Sequence, residues 1–395
     1  MKIREITDNI FYVGVNDRTT TRFENLWPLP YGVSYNSYLV KGTDKIALID
    51  CVEQASMPDF IGKIRSVIGD KKVDYLVVNH MEPDHSGGIP ELIRLFPEIK
   101  IVCNRLSSGM LNGYYNLSSD RIHEIKDNDS LALGSATLRF LMTPMVHWPE
   151  TMMTYLEEKK VLFSGDGFGC FGALNGGIVD NEMATDIYIE EMYRYYSNIV
   201  AKFGKFVQNA LNKTKGLPIE YLCTLHGPVW HDRISEVVGI YDRLSRYEGE
   251  DGITLIYGSM YGNTSLLAEA IASRLSERGI KNIRIHNASY SDMSYMISDA
   301  LRYKGLIVGS PTYCMTLYPP VAAFLEAMAT RELKGRITAT FGSYTWASAA
   351  VGKLNEWFTN MKMPQVASLE MKMAPTEEDF QSARDFADKI VDALK

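Results

Sequence analysis

Four metal-competent side chains, His80, Glu82, Asp84 and His85, fall within six consecutive residues. They follow an apolar, β-type run (Tyr75, Leu76, Val77, Val78) and precede Gly87 and Gly88. A strand that ends in a tight loop can aim alternate side chains into one pocket, as a two-metal site requires. Two imidazoles with two carboxylates make a harder, more oxygen-rich set than histidine alone, which shifts the expected metal from zinc towards iron or manganese. Three later residues occupy similar positions, each where a strand-like run gives way to a glycine or proline turn: His147 before Trp148-Pro149, Asp166 between Gly165 and Gly167, and His226 before Gly227-Pro228. Loops projecting from one sheet edge carry catalytic residues in this way. A lone histidine at a strand end is an ordinary turn residue, and His123, His231 and His286 read as such.

A second constellation is Ser259-Met260-Tyr261-Gly262-Asn263-Thr264, at the end of an apolar run and the start of a helical pattern. A loop opening onto a helix N-terminus presents backbone N–H groups and a positive dipole to a phosphate. Ser259, Asn263 and Thr264 add side-chain donors, and Gly262 lets the backbone approach closely. The loop is similar to the flavodoxin pattern Thr/Ser-x-Thr-Gly-x-Thr, with Tyr261 at a hydroxyl position. Its lack of a basic residue suits a monophosphate such as that of FMN. Two further loops, Pro311-Thr312-Tyr313 and Ser343-Tyr344-Thr345-Trp346-Ala347, follow later strands and offer aromatics for stacking on a flavin ring.

These residues need elements to hold them. In the first part of the chain, 9–15, 34–40, 45–49 and 73–79 read as strands, 56–68 as a helix, 131–144 and 152–164 as hairpins, and 184–212 as one long helix. This order predicts an αββα sandwich. A polar, glycine-bearing stretch at 247–252 then suits a linker, dividing the chain into domains 1–249 and 250–395. Beyond it strands at 253–257, 282–286, 305–309, 337–341 and 366–369 alternate with helices at 263–278, 293–302, 320–330, 347–360 and 376–394. Five β/α units describe a doubly wound, flavodoxin-like parallel sheet.

The 395 residues exceed one ordinary core, in agreement with two domains. With 46% apolar and 23% charged residues and no long apolar tract, the composition is that of a soluble globular protein, with no membrane partner. The N-terminus lacks a signal-like apolar segment. A net charge of −7 argues against nucleic acid as partner. Five dispersed cysteines without a C-x-x-C pair predict a reducing, cytoplasmic setting with buried thiols. They also exclude a built-in rubredoxin-type iron site, so electrons must arrive from outside.

His80-x-Glu82-x-Asp84-His85 followed by His147, Asp166 and His226 resembles the metallo-β-lactamase fold in its flavodiiron form. Zinc hydrolases of that fold carry His-x-His-x-Asp-His, and Glu82 stands at the second histidine's place. With the flavin loop, the resemblance covers essentially the whole chain and identifies it as a flavodiiron protein of two-domain form, with no extra C-terminal module. It implies a di-iron site held by those seven residues with Asp166 as the bridge, FMN in the second domain, and reduction of O2 to water and/or NO to N2O, scavenging these gases in an anaerobe. It leaves two readings of His85, as a ligand of the second iron or as a residue that yields its place to water. It implies a head-to-tail homodimer, or a dimer of dimers, that sets the FMN of one subunit against the irons of the other. The donor would be rubredoxin, a flavin reductase or a reduced deazaflavin. Trp148, Tyr193, Tyr195 and Tyr196 are candidates to shape the metal pocket. The alternative is a zinc-dependent hydrolase of the same fold with an accessory flavodoxin module.

Overall fold

The structure, a computed structural model, describes residues 3–363 and 365–395. It divides into two compact units, one ending at Asp242 and the other running from Arg243 to Lys395. The division precedes the polar stretch at 247–252 because Glu250 already starts a strand and is paired to both Arg243 and Arg302 at 3.1 and 3.0 Å.

In the first unit, short apolar runs separated by turns build two large sheets, beside two small two-stranded ones. One contains, in spatial order, β1 (Glu5–Thr7), β2 (Ile10–Tyr12), β3 (Tyr38–Lys41), β4 (Ile46–Ile49), β5 (Tyr75–Val77), β6 (Lys100–Cys103) and β7 (Ile122–Glu124). Its first four strands pair antiparallel, and β4 to β7 run parallel with helical crossovers that include Met57–Ile68 and Arg105–Tyr115. The other sheet is β8 (Ser130–Ala132), β9 (Thr137–Met142), β10 (Met152–Leu156), β11 (Val161–Phe163) and β12 (Tyr221–Cys223). Its two expected hairpins are present, and only β11 and β12 pair parallel. The sheets meet through buried side chains: Tyr38 packs 5.3 Å from Phe163, and its hydroxyl donates to the Thr224 carbonyl at 2.5 Å. Helices complete the αββα arrangement, and β10 and β11 are buried at every position rather than at alternate ones.

The single helix expected over 184–212 is broken. An α-helix at Asp186–Tyr195 passes into a π-helical turn at Tyr196–Val200, Lys202 takes φ 88°, and a second helix spans Gly204–Thr214. Tyr193, Tyr196, Val200 and Val207 are all buried, so the apolar spacing runs through the break and conceals it. One thiol also departs from expectation. Cys51, Cys103, Cys170 and Cys223 are buried, but Cys314 is exposed. Cys314 and Met315, at φ 49° and 58°, form the two-residue turn of a small hairpin, where paired left-handed residues suit the strand twist.

The second unit has β13 (Glu250–Tyr257), β14 (Ile283–Asn287), β15 (Tyr303–Tyr313), β16 (Ile337–Tyr344) and β17 (Gln365–Lys372) in the order β14-β13-β15-β16-β17, all parallel. This is the flavodoxin-type strand order, with its switch point between β13 and β15. Ile253, Leu255, Leu267, Ile271, Phe341, Phe386 and Ile390 are among the residues of its core.

Candidate functional site

Within the first unit, the loop after β5 is fixed by a carboxylate that the sequence marks only as a strand end. Asp50 is fully buried, with φ 56°, and accepts hydrogen bonds from Asn79 N at 2.7 Å, Asn79 Nδ2 at 2.8 Å and His80 N at 3.3 Å. Burial raises its carboxyl to about 6. The loop so held delivers His80, Glu82, Asp84 and His85, while the second sheet contributes His147 between β9 and β10, Asp166 after β11 and His226 after β12.

All seven converge, in two groups. Ligand-type atoms of His80, Glu82, His147 and Asp166 lie within 4.8 Å of one another, as do those of Asp84, His85 and His226. Asp166 spans the two groups. Its Oδ2 is 3.1 Å from His147 Nε2 and 3.3 Å from His80 Nε2, while Oδ1 is 3.3 Å from His85 Nε2 and 3.6 Å from His226 Nε2. Glu82 Oε2 lies 3.2 Å from His80 Nε2 and 3.1 Å from His147 Nε2.

The site's polar atoms are left incomplete by the protein alone. Among the described residues, both Asp84 carboxylate oxygens, Asp166 Oδ1 and His85 Nδ1 are buried without a hydrogen-bond partner. Such oxygens are costly unless a cation faces them, so the donor set fits two hard divalent metals. The electrostatics agree. Burial opposes charge on His80, yet the Asp166 carboxylate and hydrogen bonds to Asp166, Glu150 and Glu82 lift its imidazole well above the ordinary range. Against the same burial, Asp166 and Glu82 raise His147 to about 9. Burial would raise the Asp166 carboxyl, but His80, His147 and His85 hold it well below the usual range. Metals bound here would compete with protons for the same imidazole and carboxylate atoms.

Aromatic rings enclose the cluster. Trp148 stands edge-on to His80 at 5.4 Å, and Phe23, Tyr195 and Tyr35 lie 5.3, 5.6 and 5.8 Å from His226. Trp148 and Tyr195 thus lie where sequence reasoning expects them, whereas Tyr196 packs on Tyr241 at 5.0 Å. Phe23 and Tyr35 carry no sequence signal, since distant segments bring them to the histidines. Glu150 is also passed over by sequence reasoning, although it lies 2.8 Å from His80 Nδ1.

In the second unit, one groove at the carboxyl edge of the sheet is lined by Ser259, Met260, Tyr261, Asn263, Thr264, Pro311, Thr312, Ser343, Tyr344, Thr345 and Met373. Gly262, at φ 97°, turns the chain into the helix Asn263–Glu277, whose first N–H groups have no side-chain cap. An uncapped helix start facing a groove of hydroxyls fits a phosphate held by neutral donors. Thr264 Oγ1 and Ser343 Oγ share a 2.8 Å hydrogen bond that joins two of the three loops. Gly262, Tyr313, Trp346 and Ala347 adjoin the groove in sequence without lining it, and Trp346 is 87% exposed. Met373 joins the lining from just beyond β17, a place that only the rule of ligands at strand carboxyl ends would indicate.

The chain resembles known proteins in both halves. The model of the ODP family beta lactamase matches residues 33–227, and that of flavodoxin matches 255–386. The anaerobic nitric oxide reductase flavorubredoxin of Escherichia coli is 32% identical over 393 residues, covering 98% of this chain and 81% of that protein. The structure of rubredoxin oxygen:oxidoreductase from Desulfovibrio gigas superposes with a TM-score of 0.93 at 28% identity, covering 100% of this chain and 98% of that one. The flavodiiron protein from Giardia intestinalis gives 0.91 at 25%, with the same coverage. The chain belongs to the flavodiiron family. An uncharacterized protein of Methanocaldococcus jannaschii is also 32% identical, over 394 residues and 99% of both chains. Among the described residues of this flavodiiron chain, no helix is long and apolar enough to cross a membrane.

Proposed function

We propose that this chain reduces O2 to water, NO to N2O, or both, at a di-iron centre supplied with electrons by FMN. The observation that carries the proposal is Asp166, whose two carboxylate oxygens face two separate groups of donors. His80, Glu82 and His147 would hold one iron and Asp84, His85 and His226 the other, with Asp166 between them. Glu82, Asp84 and Asp166 place three negative charges in the ligand set, which favours iron over zinc. When bound, two ferrous ions and a reduced flavin supply the four electrons that take O2 to two waters, and two NO molecules need two.

The chain's own residues set the conditions for that chemistry. Phe23, Tyr35, Trp148 and Tyr195 limit water around the cluster, so a small, weakly polar diatomic enters more readily than a hydrated anion. Ser259, Asn263, Thr264 and the start of the helix Asn263–Glu277 would grip the FMN phosphate, and Tyr344 and the loop around Thr312 would border the ring. The zinc-hydrolase alternative finds no support, since the flavorubredoxin and the rubredoxin oxygen:oxidoreductase are both oxidoreductases.

Electron donors and assembly extend the same proposal. With no C-x-x-C pair in the chain, reducing equivalents come from a separate cytoplasmic donor such as rubredoxin, a flavin reductase or a reduced deazaflavin. A head-to-tail homodimer, alone or paired into a dimer of dimers, would bring flavin and irons of different subunits together. Separating the subunits should then abolish turnover while both cofactors stay bound, and full activity in a monomer would reject the dimer. The reaction itself is tested anaerobically: the protein is reduced, and O2 and NO consumption are compared with each donor. Iron-loaded, flavin-loaded protein that consumes neither gas refutes the proposal.

A further inference from the structure

We propose that Glu150 is a positioning residue that makes the metal position of His80 the tighter-binding and more electron-rich of the two. This rests on the reading of His80 as a ligand.

The Glu150 side chain is completely buried. Its Oε1 lies 2.8 Å from His80 Nδ1 and also accepts the Met81 N–H at 2.9 Å. The proton on His80 is thereby placed on Nδ1, leaving Nε2 free as a donor atom directed at Glu82 and Asp166, 3.2 and 3.3 Å away. Among the described residues Oε2 of Glu150 is buried without a hydrogen-bond partner, so both hydrogen bonds to the carboxylate fall on Oε1. The backbone is anchored as well. Asn104 Nδ2 donates to the Glu150 carbonyl at 2.6 Å, while Asn104 Oδ1 caps the helix Arg105–Tyr115 by accepting from Leu106 N and Ser107 N. The carboxylate that backs His80 is therefore tied to the first sheet through the end of β6.

Among the described residues the other group has no equivalent. His226 Nδ1 faces a neutral acceptor, the Ser34 carbonyl, at 2.7 Å, and His85 Nδ1 is buried with no partner. A carboxylate behind an imidazole makes it a stronger donor than a carbonyl does, and removal of such a group typically weakens metal binding 10–100-fold. The first position therefore fills first as metal is added, and its iron is the more readily held in the oxidised state.

The test uses Glu150→Ala and Glu150→Gln in the full chain. Metal-free protein is titrated anaerobically with Fe(II) against a competing chelator, and the midpoint potential of the reloaded centre is read spectroscopically. FMN content and near-UV circular dichroism report the fold. Glu150→Ala should weaken the first equivalent by about 10–100-fold. Glu150→Gln keeps an oxygen for His80 and Met81 but removes the charge, so it should recover part of the affinity while the potential stays raised. A wild-type potential in Glu150→Gln, or an unchanged first equivalent in Glu150→Ala, overturns the proposal. If Glu150→Ala does not fold, the potential of Glu150→Gln decides alone. Wild-type protein that takes up fewer than two irons refutes the ligand assignment itself, and this proposal with it.

Discussion

The Nε2 atoms of His85 and His226 lie 3.0 Å apart, and each is 3.3 Å from Asp84 Oδ2. Two imidazole nitrogens and a carboxylate oxygen so arranged point at one common target. His85→Ala is therefore expected to lower iron from two towards one per chain while FMN content is unchanged. Metal analysis against flavin absorbance measures this. Two irons retained at wild-type affinity would assign the place of His85 to water.

Asp166 serves both groups, so its loss should be more severe than that of His85. In Asp166→Ala both donor groups lose their common anion, and iron should fall below one per chain with gas reduction abolished. FMN remains bound, because its groove lies in the other unit. Retention of two irons with activity would contradict the bridging role.

The flavin groove has its own test. Thr264→Val keeps the shape of the side chain but removes the hydroxyl that meets Ser343 Oγ at 2.8 Å. Loss of one buried hydrogen-bonding group, about 1.4 kcal/mol, should raise the dissociation constant of FMN about tenfold. Fluorescence titration of FMN-free protein reads the change, and iron content should stay at the wild-type level.

Acid should loosen the second unit through one cluster. Asp388 lies 2.8 Å from Arg274 Nε and 2.6 Å from Arg278 Nη1, joining the helix Glu377–Ala393 to the end of the helix Asn263–Glu277. Hydrogen bonds from Arg274, with Arg278 adding to them, bring its carboxyl down to about 2. A carboxyl depressed on folding stabilises above its unfolded value, ~3.9, and that contribution fades as pH falls through about 2. Asp388→Asn should thus be less stable at neutral pH and show a flatter acid limb between these values. Denaturant midpoints measured across that range check the sign, and curves parallel to wild type would refute it.

Much of the architecture was legible because parallel, doubly covered strands are continuous apolar runs. The runs ending at Tyr257 and Gly309 are mainly apolar, whereas the one ending at Phe341 is interrupted by Thr338 and Thr340. The seven candidate ligands follow strands: His80, Glu82, Asp84 and His85 come after β5, His147 after β9, Asp166 after β11 and His226 after β12. The supporting residues were not legible. His226 meets the Ser34 carbonyl and His80 meets Glu150 across intervals that no local pattern records. Asp50 shows its purpose only when the loop of Asn79 and His80 closes over it. The π-helical turn at Tyr196–Val200 was hidden because helical spacing of buried residues survives it.

His80 arrives from one sheet of the first unit, while His147, Asp166 and His226 arrive from the other. Ions bound among them would act as rivets across the seam, since a folded state that alone binds ligand gains stability with the logarithm of one plus the free ligand concentration over its dissociation constant. Iron starvation would then cost a cell twice, leaving it a reductase that cannot turn over and a sandwich that proteases open more easily.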